Sequence, residues 1–316
     1  MDNRLSLPYF GRLSAVSMDP IEKKPLYHFY PGKQILSVGF FGCNLSCPFC
    51  QNYSISKQPP GIFETQSAPF HEFDSELPGR FLSPRELIAQ AVAANSFGIA
   101  YTYSEPLIHF EYILECAREA ADAGLKNVLI SNGFINKKPA AELFSAMDAA
   151  NIDLKGFTDG FYRDELGGKL QPVLDAIAVA AEHVALEITT LVIPGKNSSL
   201  QEISQIAHFI ASINADIPLH LSRYHPAAGY TVPATNPDSL MKLVDTARNY
   251  LNFVYPGNLG SVPADTCCPQ CKHVLIKRTG YTVSLAGVKG SGCANCGYKI
   301  PFPVRQETLQ EPGQTD

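Results

Sequence analysis

From residue 83 onwards, short apolar runs alternate with longer stretches in which apolar residues recur every three or four positions. The longer stretches have the pattern of helices with one buried face, and the short runs that of buried strands. Strand candidates begin near residues 35, 98, 127, 151, 185, 218 and 252. Strands and helices that alternate at the length of a βα unit predict a parallel sheet with its helices outside.

The number of these units limits the architecture. Six or seven units are fewer than the eight of a complete barrel. We therefore expect an α/β fold, a partial (β/α)6-type TIM barrel, with a doubly wound open sheet as the alternative.

Local signals support individual helices. Ser83-Pro84-Arg85-Glu86 has the residues of a capping box, with serine at the N-cap, proline at the first helical position and glutamate at the third. A later stripe predicts one buried helix face and consists of Leu174, Ile177, Ala178 and Ala181.

The first strand, predicted from Ile35 to Phe41, leads into Cys43, Cys47 and Cys50 at C-x3-C-x2-C spacing. Cysteine thiolates are the usual ligands of a [4Fe–4S] cluster, so three of them leave one iron open. An open position is typical of a catalytic metal site. The alternatives are a zinc knuckle with a fourth ligand from elsewhere, or three buried thiols. The spacing after an apolar strand resembles the signature of the radical S-adenosylmethionine (SAM) superfamily.

Polar residues lie at or just beyond the ends of the later strands, where barrel enzymes gather their active sites. They are Ser104 and Glu105 after the second strand, Asn132 after the third, Asp153 and Lys155 on one side of the fourth, and His225 after the sixth. Taken singly, each has an ordinary structural explanation, namely a helix cap, a turn, an ion pair or a structural histidine. Their shared position beside the cysteines is what predicts one site.

The order of the motifs GCNLSCPFCQN, YTYSEP, ISNGF, IDLKGF, VIPGK and RYHPA resembles radical SAM enzymes of the pyruvate formate-lyase activating type. More specifically, DPIEKKPLYHFYPG before the triad and paired C-x2-C motifs after the barrel resemble the AmmeMemoRadiSam-system radical SAM enzymes. The resemblance implies a [4Fe–4S] cluster on Cys43, Cys47 and Cys50 that reductively cleaves SAM. The resulting 5′-deoxyadenosyl radical abstracts hydrogen from a substrate.

The resemblance also implies contacts to SAM. Glu105 matches the acidic residue near the methionyl amine, and Ser104 takes the place of the preceding glycine. The family's Gly-Gly-Glu-Pro run is Tyr103-Ser104-Glu105-Pro106 here, a departure that removes both glycines. The other implied SAM contacts are Asn132, Asp153, Lys155 and His225 around the methionyl and ribose portions, and Phe49 facing adenine. No residue is assigned as the catalytic group.

A second cysteine set lies after the predicted barrel. Cys268 and Cys271 form one C-x2-C pair, and Cys293 and Cys296 form another. This arrangement predicts a zinc-ribbon-like appendage with a closed four-thiolate site, and hence a structural role. The metal is zinc or iron, and an iron of the rubredoxin kind with a role in electron relay is the alternative. Cys267 is left over.

Composition restricts the remaining choices. A formal net charge of −5 gives no reason to expect binding to nucleic acid. Eight of the nine cysteines lie in tight clusters, and the first residues lack a signal-peptide pattern, so we expect a reducing, cytoplasmic location. The ninth, Cys116, is predicted to lie in the core. No apolar run is long enough to span a bilayer, so no membrane association is expected.

The predicted organisation is an N-terminal arm at 1–34, a barrel at 35–260, a four-cysteine metal ribbon at 261–304 and a flexible tail at 305–316. Residues 51–84 are predicted to be a loop-like insertion over the site. The expected partners are a one-electron donor such as a flavodoxin or ferredoxin-like protein and, from the resemblance, Memo-like and AMMECR-like proteins. The substrate, a small molecule or a protein, is unidentified. The alternatives are activation of a glycyl-radical enzyme and a non-enzymatic metal-binding scaffold.

Overall fold

The computed structural model describes residues 9–57, 78–260 and 262–303. The predicted tail and residues 58–77 of the predicted insertion lie outside the described residues. Within the described ranges, no helix is long and apolar enough to cross a membrane.

A twisted sheet of eight strands forms the centre of the fold. The strands before the ribbon are β1 (Arg12–Leu13), β2 (Ala15–Pro20), β3 (Gln34–Gly39), β4 (Arg80–Phe81), β5 (Gly98–Thr102), β6 (Lys126–Ser131), β7 (Ala149–Asp153), β8 (Ala185–Val192), β9 (Leu219–Arg223) and β10 (Val254–Gly257). The sheet order is β10-β9-β8-β7-β6-β5-β3-β2, and all neighbours from β3 to β10 are parallel. The expected α/β partial barrel is confirmed, and it has one parallel strand more than a six-unit barrel.

The edge strand β2 was not foreseen from the sequence. It pairs antiparallel with β3 and belongs to the region predicted as an extended arm. Pro20 ends this strand, a position that proline tolerates because its missing N–H removes no interior bond of the ladder. Strands β1 and β4 form a separate antiparallel pair. The division of the chain into an arm, a barrel and a ribbon stays a prediction.

The helices pack on the outside of the sheet, as predicted. They are α1 (Tyr53–Ser56), α2 (Pro84–Ala93), α3 (Phe110–Asp122), α4 (Lys137–Ser145), α5 (Asp159–Asp164), α6 (Leu170–His183), α7 (Leu200–Ile213) and α8 (Pro237–Ala247). The capping box at the start of α2 is confirmed, because the Ser83 and Glu86 side chains each accept a hydrogen bond from the other's backbone N–H.

The buried face of α6 is shifted by one residue towards the N-terminus relative to the predicted face. Val173, Ala176, Ile177 and Ala180 are buried, whereas Ala178 of the predicted stripe is exposed. This helix carries apolar residues around most of its circumference, so its sequence period does not select one face.

The described residues form three separate apolar clusters. The largest lies between the sheet and the helices. A second fills the inside of the barrel, where Ile21, Leu26 and Phe29 pack against residues such as Val128 and Ala149. These last two lie in the first half of their strands. The segment from Ile21 to Phe29 therefore closes the end of the barrel opposite to the carboxyl ends of the strands, and we call it the floor segment.

The ribbon has a small core of its own. Its strands are β11 (Thr266–Cys267), β12 (Val274–Thr279), β13 (Thr282–Leu285), β14 (Val288–Lys289) and β15 (Gly292–Cys293). They form an antiparallel sheet of order β11-β12-β13 and a two-stranded β14-β15 hairpin. These strands and the cysteine cluster they carry fit the predicted zinc-ribbon-like appendage.

Two buried histidines predict that the protein loses stability in acid. Burial lowers the pKa of His28 to about 3 and that of His109 to about 4. Both are neutral when folded, so the unfolded chain takes up protons first as the pH falls below about 6.5. We expect these two histidines to contribute a decrease in the free energy of unfolding of up to about 2 to 3 kcal/mol per pH unit between about pH 6 and pH 4. Urea unfolding followed by circular dichroism measures this slope.

The matched variant is His109→Gln, which removes one of the two groups and should remove about half of this histidine contribution to the slope. An equal slope in both proteins would contradict the assignment.

Candidate active site

The triad begins directly beyond the end of β3. Gly42 has φ +88, a left-handed conformation that glycine adopts without steric cost. His109 fixes the preceding residue, because its Nε2 donates a hydrogen bond of 3.0 Å to the carbonyl oxygen of Phe41. All three thiols of the triad are free, and that of Cys47 is buried. The chain turn before Cys43 is thus held by both the glycine and the histidine.

The surroundings of Cys43 and Cys47 keep their thiols protonated while no cation is bound. Burial and the nearby Glu105 raise the pKa of Cys43 to about 12. Burial also raises the pKa of Cys47, which the positive charge of Lys155 opposes. A bound cation favours the thiolate form strongly. These thiols therefore suit a metal centre rather than a free thiolate nucleophile.

Glu105 lies at the centre of the polar group. Its side chain is buried, and its Oε1 accepts hydrogen bonds from Leu107 N at 3.0 Å and Ser131 Oγ at 2.9 Å. Its Oε2 accepts one from Asn132 N at 2.8 Å. Burial raises the pKa of Glu105 to about 7, although the backbone hydrogen bonds and Lys155 oppose this rise. A carboxylate has about four acceptor sites, so Oε2 keeps capacity for one further donor.

Asn132 connects this carboxylate to the cysteines. Its Nδ2 lies 3.6 Å from Cys43 Sγ and donates a hydrogen bond of 2.8 Å to Asn44 Oδ1. The next residue, Gly133, has φ +67, and a Cβ there would lie 2.8 Å from the Ile152 side chain. The turn after β6 therefore requires glycine, and it brings Asn132 against the triad.

Asp153 and Lys155, which the alternation put on one side of their strand, form an ion pair, the ordinary structural explanation left open for them. Lys155 Nζ lies 2.8 Å from Asp153 Oδ2. Burial disfavours the charged lysine, yet Asp153 and Cys47 together raise the pKa of Lys155. The lysine backbone is also held, because its N–H donates to Tyr162 Oη and its carbonyl accepts from Asn197 Nδ2 at 2.6 Å. A fixed positive charge therefore lies close to the cysteine loop.

Tyr103 stands where the motif resemblance would place a glycine, and it adopts the backbone conformation that glycine favours. Its φ is +70, which is uncommon for a bulky residue. The Tyr103 hydroxyl donates to Asp19, and Lys24 Nζ lies 4.3 Å from the ring centroid. Asn52, beyond the triad, donates to the Tyr103 carbonyl. These contacts offset the cost of the left-handed backbone.

Ser104, at the position of the second glycine in the motif resemblance, forms a hydrogen bond to the residue that follows strand β3. Its Oγ donates a hydrogen bond of 2.8 Å to the carbonyl oxygen of Phe40. Since Phe40 precedes the cysteine loop by three residues, this bond joins the ends of β3 and β5. The segment that carries Glu105 is thereby fixed relative to the triad.

Removing the Tyr103 hydroxyl tests the contact of Tyr103 with Asp19, which we call the Tyr103 clamp. Tyr103→Phe should lower the free energy of unfolding by about 1 to 2 kcal/mol, because a hydrogen bond to a charged group is lost. Urea unfolding of the full chain measures the change. Tyr53→Phe is the matched control, since Tyr53 is 49% exposed and should unfold as the wild type does. Equal stability of the two variants would show that the clamp contributes nothing.

Two predicted contacts lie apart from this polar group. Phe49 is 4% exposed, and its ring centroid lies 5.8 Å from that of Tyr230 and 6.4 Å from that of Phe161. His225 is exposed and forms no hydrogen bond with another described residue. Their roles at adenine and ribose stay predictions.

Sequence reasoning missed several residues that hold the site together. Asn44 and Asn52 flank the cysteines, so their positions could have drawn attention to them. Ser131, which binds Glu105, lies in the motif ISNGF, whereas His109, which binds Phe41, gave no periodic or motif signal. Each acts on a residue far away in the chain, which a single sequence does not show.

The four ribbon cysteines converge as predicted. The thiol sulfurs of Cys268, Cys271, Cys293 and Cys296 all lie within 4.8 Å of one another. Four such donors fit one metal ion with a closed thiolate shell. Cys267 is not part of this group, and Cys116 is buried in α3, as predicted.

Comparison with known proteins identifies the class. The model of the radical SAM superfamily matches residues 37–210. The uncharacterized protein MJ0808 of Methanocaldococcus jannaschii is 36% identical over 302 residues, which cover 92% of this chain and 84% of that protein. The chain therefore belongs to the radical SAM superfamily, whose members are enzymes. Membership implies a [4Fe–4S] cluster and SAM.

Solved structures agree with this fold. A radical SAM methyltransferase from Sphaerobacter thermophilus superposes with a TM-score of 0.54 at 14% identity and covers 72% of this chain and 67% of its own. Streptococcus suis SuiB bound to S-adenosylmethionine gives a TM-score of 0.52 at 14% identity, over 71% of this chain and 52% of SuiB. At this identity the similarity concerns the fold alone.

Proposed function

We propose that the protein reductively cleaves SAM at a [4Fe–4S] cluster held by Cys43, Cys47 and Cys50. When bound, the cluster supplies one electron to the sulfonium, and SAM supplies a 5′-deoxyadenosyl radical for hydrogen abstraction. The observation that carries this proposal is the contact chain from the buried Glu105 through Asn132 to Cys43 Sγ. It puts an acceptor for an amine beside the cysteines.

The donor set of the triad fits a cluster with one open iron. Among the described residues, the side chains close enough together to hold a single metal ion are the four cysteines of the ribbon. Within the same part of the chain the triad has no fourth protein donor of this kind, which argues against a closed zinc knuckle. Three thiolates with an open iron suit a chelating ligand such as the amino and carboxylate groups of SAM.

Protein residues would orient SAM rather than react with it. The unused acceptor site of Glu105 Oε2 would receive the methionyl amine, and Asn132 would fix the side of the pocket next to Cys43. Asp153 and Lys155 would bind polar groups of the methionyl and ribose portions. Ser104, His225 and Phe49 complete the proposed SAM contacts.

The ribbon metal has a structural role in this proposal. Four cysteine thiolates leave no coordination site for a substrate, and zinc or iron satisfies this donor set. The ribbon buries few apolar residues, and metal binding supplies folding free energy to such small units.

The finer assignment rests on the motif resemblance. We propose that the protein is the radical SAM component of an AmmeMemoRadiSam system, with Memo-like and AMMECR-like proteins as partners. A flavodoxin or ferredoxin-like protein would deliver the electron. The free thiols of the described chain fit the reducing cytoplasm. The substrate is a small molecule or a protein that carries an abstractable hydrogen.

Anaerobic reconstitution with iron and sulfide, followed by reduction with dithionite in the presence of SAM, tests the proposal. We expect methionine and 5′-deoxyadenosine in equal amounts, and an EPR spectrum of the reduced cluster that changes when SAM is added. A cluster whose spectrum ignores SAM, together with no 5′-deoxyadenosine, would favour the scaffold alternative.

A further inference from the structure

The ribbon is joined to the barrel by polar and aromatic contacts. Its apolar cluster, which includes Leu275, Ile276 and Val283, is separate from both clusters of the barrel. An apolar interface between domains would merge these clusters. Individual polar and aromatic side chains of the ribbon therefore fix its position against the barrel.

Arg278 is the main link. It lies on β12 and is 4% exposed. Its Nη2 donates a hydrogen bond of 2.5 Å to the carbonyl oxygen of Tyr27, and its guanidinium carbon lies 4.4 Å from the centroid of the Tyr27 ring. Its Nη1 donates to Thr266 Oγ1 at 2.7 Å and to the Ala264 carbonyl at 3.2 Å. The planar fork of arginine makes all these contacts at once, which lysine cannot do.

The residue that Arg278 holds belongs to the floor segment. The backbone N–H groups of Tyr27 and His28 both donate to Glu187 Oε1 at 2.8 Å. His28 Nε2 also pairs with Tyr255 Oη at 2.7 Å, and its ring stacks on that of Phe302 at 3.7 Å between centroids. The ribbon thus holds the floor segment against strands β8 and β10.

Glu187 connects the floor segment to His220 on strand β9. Its Oε2 lies 2.6 Å from His220 Nε2. Burial alone would raise the pKa of Glu187, but the hydrogen bonds from the His220 side chain and the His28 backbone lower it, so the carboxylate is ionised. An ionised acceptor at this distance keeps a proton on Nε2 of His220. His220 pairs in register with Thr189, which pairs with Asp153 of the proposed SAM site.

We infer that the metal-loaded ribbon positions the floor of the barrel through Arg278, and that Arg278 thereby sets the orientation and tautomer of His220. Strand β12 follows Cys271 and precedes Cys293 in the chain, so its position depends on closure of the four-thiolate site. Loss of the ribbon metal releases the Arg278 fork, and the hydrogen bonds of Tyr27 and His28 to Glu187 then open more often. Arg278 is a positioning residue, and this role requires neither SAM nor the triad cluster.

Hydrogen–deuterium exchange of the full chain tests the inference. Five proteins are compared: wild type, Arg278→Met, the double variant Cys293→Ser/Cys296→Ser, Arg278→Lys, and Lys277→Met as the matched control. Lys277 is the exposed neighbour of Arg278 on β12, so its variant removes the same charge without the clamp. We expect the amides of Tyr27 and His28 to exchange about tenfold faster or more in the first two variants, since hydrogen bonds to a charged group are lost. The Lys277 variant should match the wild type, and Arg278→Lys should lie between.

A second readout separates positioning from general loosening. In 15N-histidine NMR spectra of the zinc-loaded chain, the His220 ring should show a single Nε2–H form in wild type and Lys277→Met. A mixture of ring forms is expected in Arg278→Met. Unchanged exchange at Tyr27 and His28 in the double cysteine variant, while its ribbon peptides exchange fast, would overturn the inference. An unchanged His220 signal in Arg278→Met would also overturn it. Neither result bears on SAM cleavage.

Discussion

Replacing Cys43 by alanine is expected to abolish cluster assembly and to reduce the formation of 5′-deoxyadenosine by at least about a hundredfold. The triad supplies three thiols, and two cannot hold a cluster against loss of iron. Cys43 is also the thiol next to Asn132, so its loss removes the contact between the cluster ligands and the proposed SAM site. Iron content, the visible absorption of the reconstituted protein and chromatography of the reaction products measure these effects.

The matched control for this experiment is Cys116→Ala. Cys116 is also a buried free cysteine, but it lies in α3 and packs in the main core. This variant should assemble the cluster and form 5′-deoxyadenosine as the wild type does. A Cys43→Ala protein that retained its iron and its activity would rule out the triad as the site.

Replacing Glu105 by glutamine is expected to weaken SAM binding by about 10- to 100-fold, because a charge-assisted hydrogen bond to the methionyl amine is lost. Glutamine would also turn an amide N–H2 group towards Asn132 N or Ser131 Oγ, which now donate to the carboxylate. Equilibrium dialysis of SAM with the reconstituted, unreduced protein measures the affinity. Glu86→Gln is the control, since Glu86 also caps a helix but at the exposed start of α2.

The pH dependence gives this prediction a second test. Because the pKa of Glu105 is raised to about 7, SAM should bind more tightly as the pH rises from about 6 to 8 and the carboxylate ionises. The variant should lack this rise. Stability moves in the opposite direction, since a raised carboxyl pKa stabilises the fold at low pH and this contribution is lost as the pH rises through about 7. A Glu105→Gln protein with wild-type affinity at every pH would exclude the proposed contact.

The site was predictable to the extent that its residues follow strands. Glu105, Asn132, Asp153 and Lys155 were found because the carboxyl ends of parallel strands share one edge of the sheet. The motif resemblance then suggested their roles. Tyr103 is a position where the sequence was misleading. A tyrosine in place of a glycine predicts that the backbone is not left-handed there. In the structure the left-handed conformation persists, since Asp19 and Lys24 hold the tyrosine side chain.

The edge strand β2 and the face of α6 show where periodicity fails. Strand β2 is short and mostly exposed, so its sequence shows no continuous apolar run. It is a strand because it pairs with β3, which is buried. A helix that is apolar on most sides does not reveal which side packs on the sheet. In both cases the neighbour, rather than the segment, decides the outcome.

The amino-acid sequence by itself determined what depends on near neighbours in the chain. This includes the alternation of strands and helices, the capping box at Ser83, and the two cysteine sets, whose ligands are separated by two or three residues within each motif. Only the tertiary structure decided which distant residues meet. The bonds from Asn132 to Cys43 and from Arg278 to Tyr27 span 89 and 251 residues. Such contacts follow from the curvature of the sheet and the closure of the ribbon onto the floor segment, which no local pattern of side chains specifies.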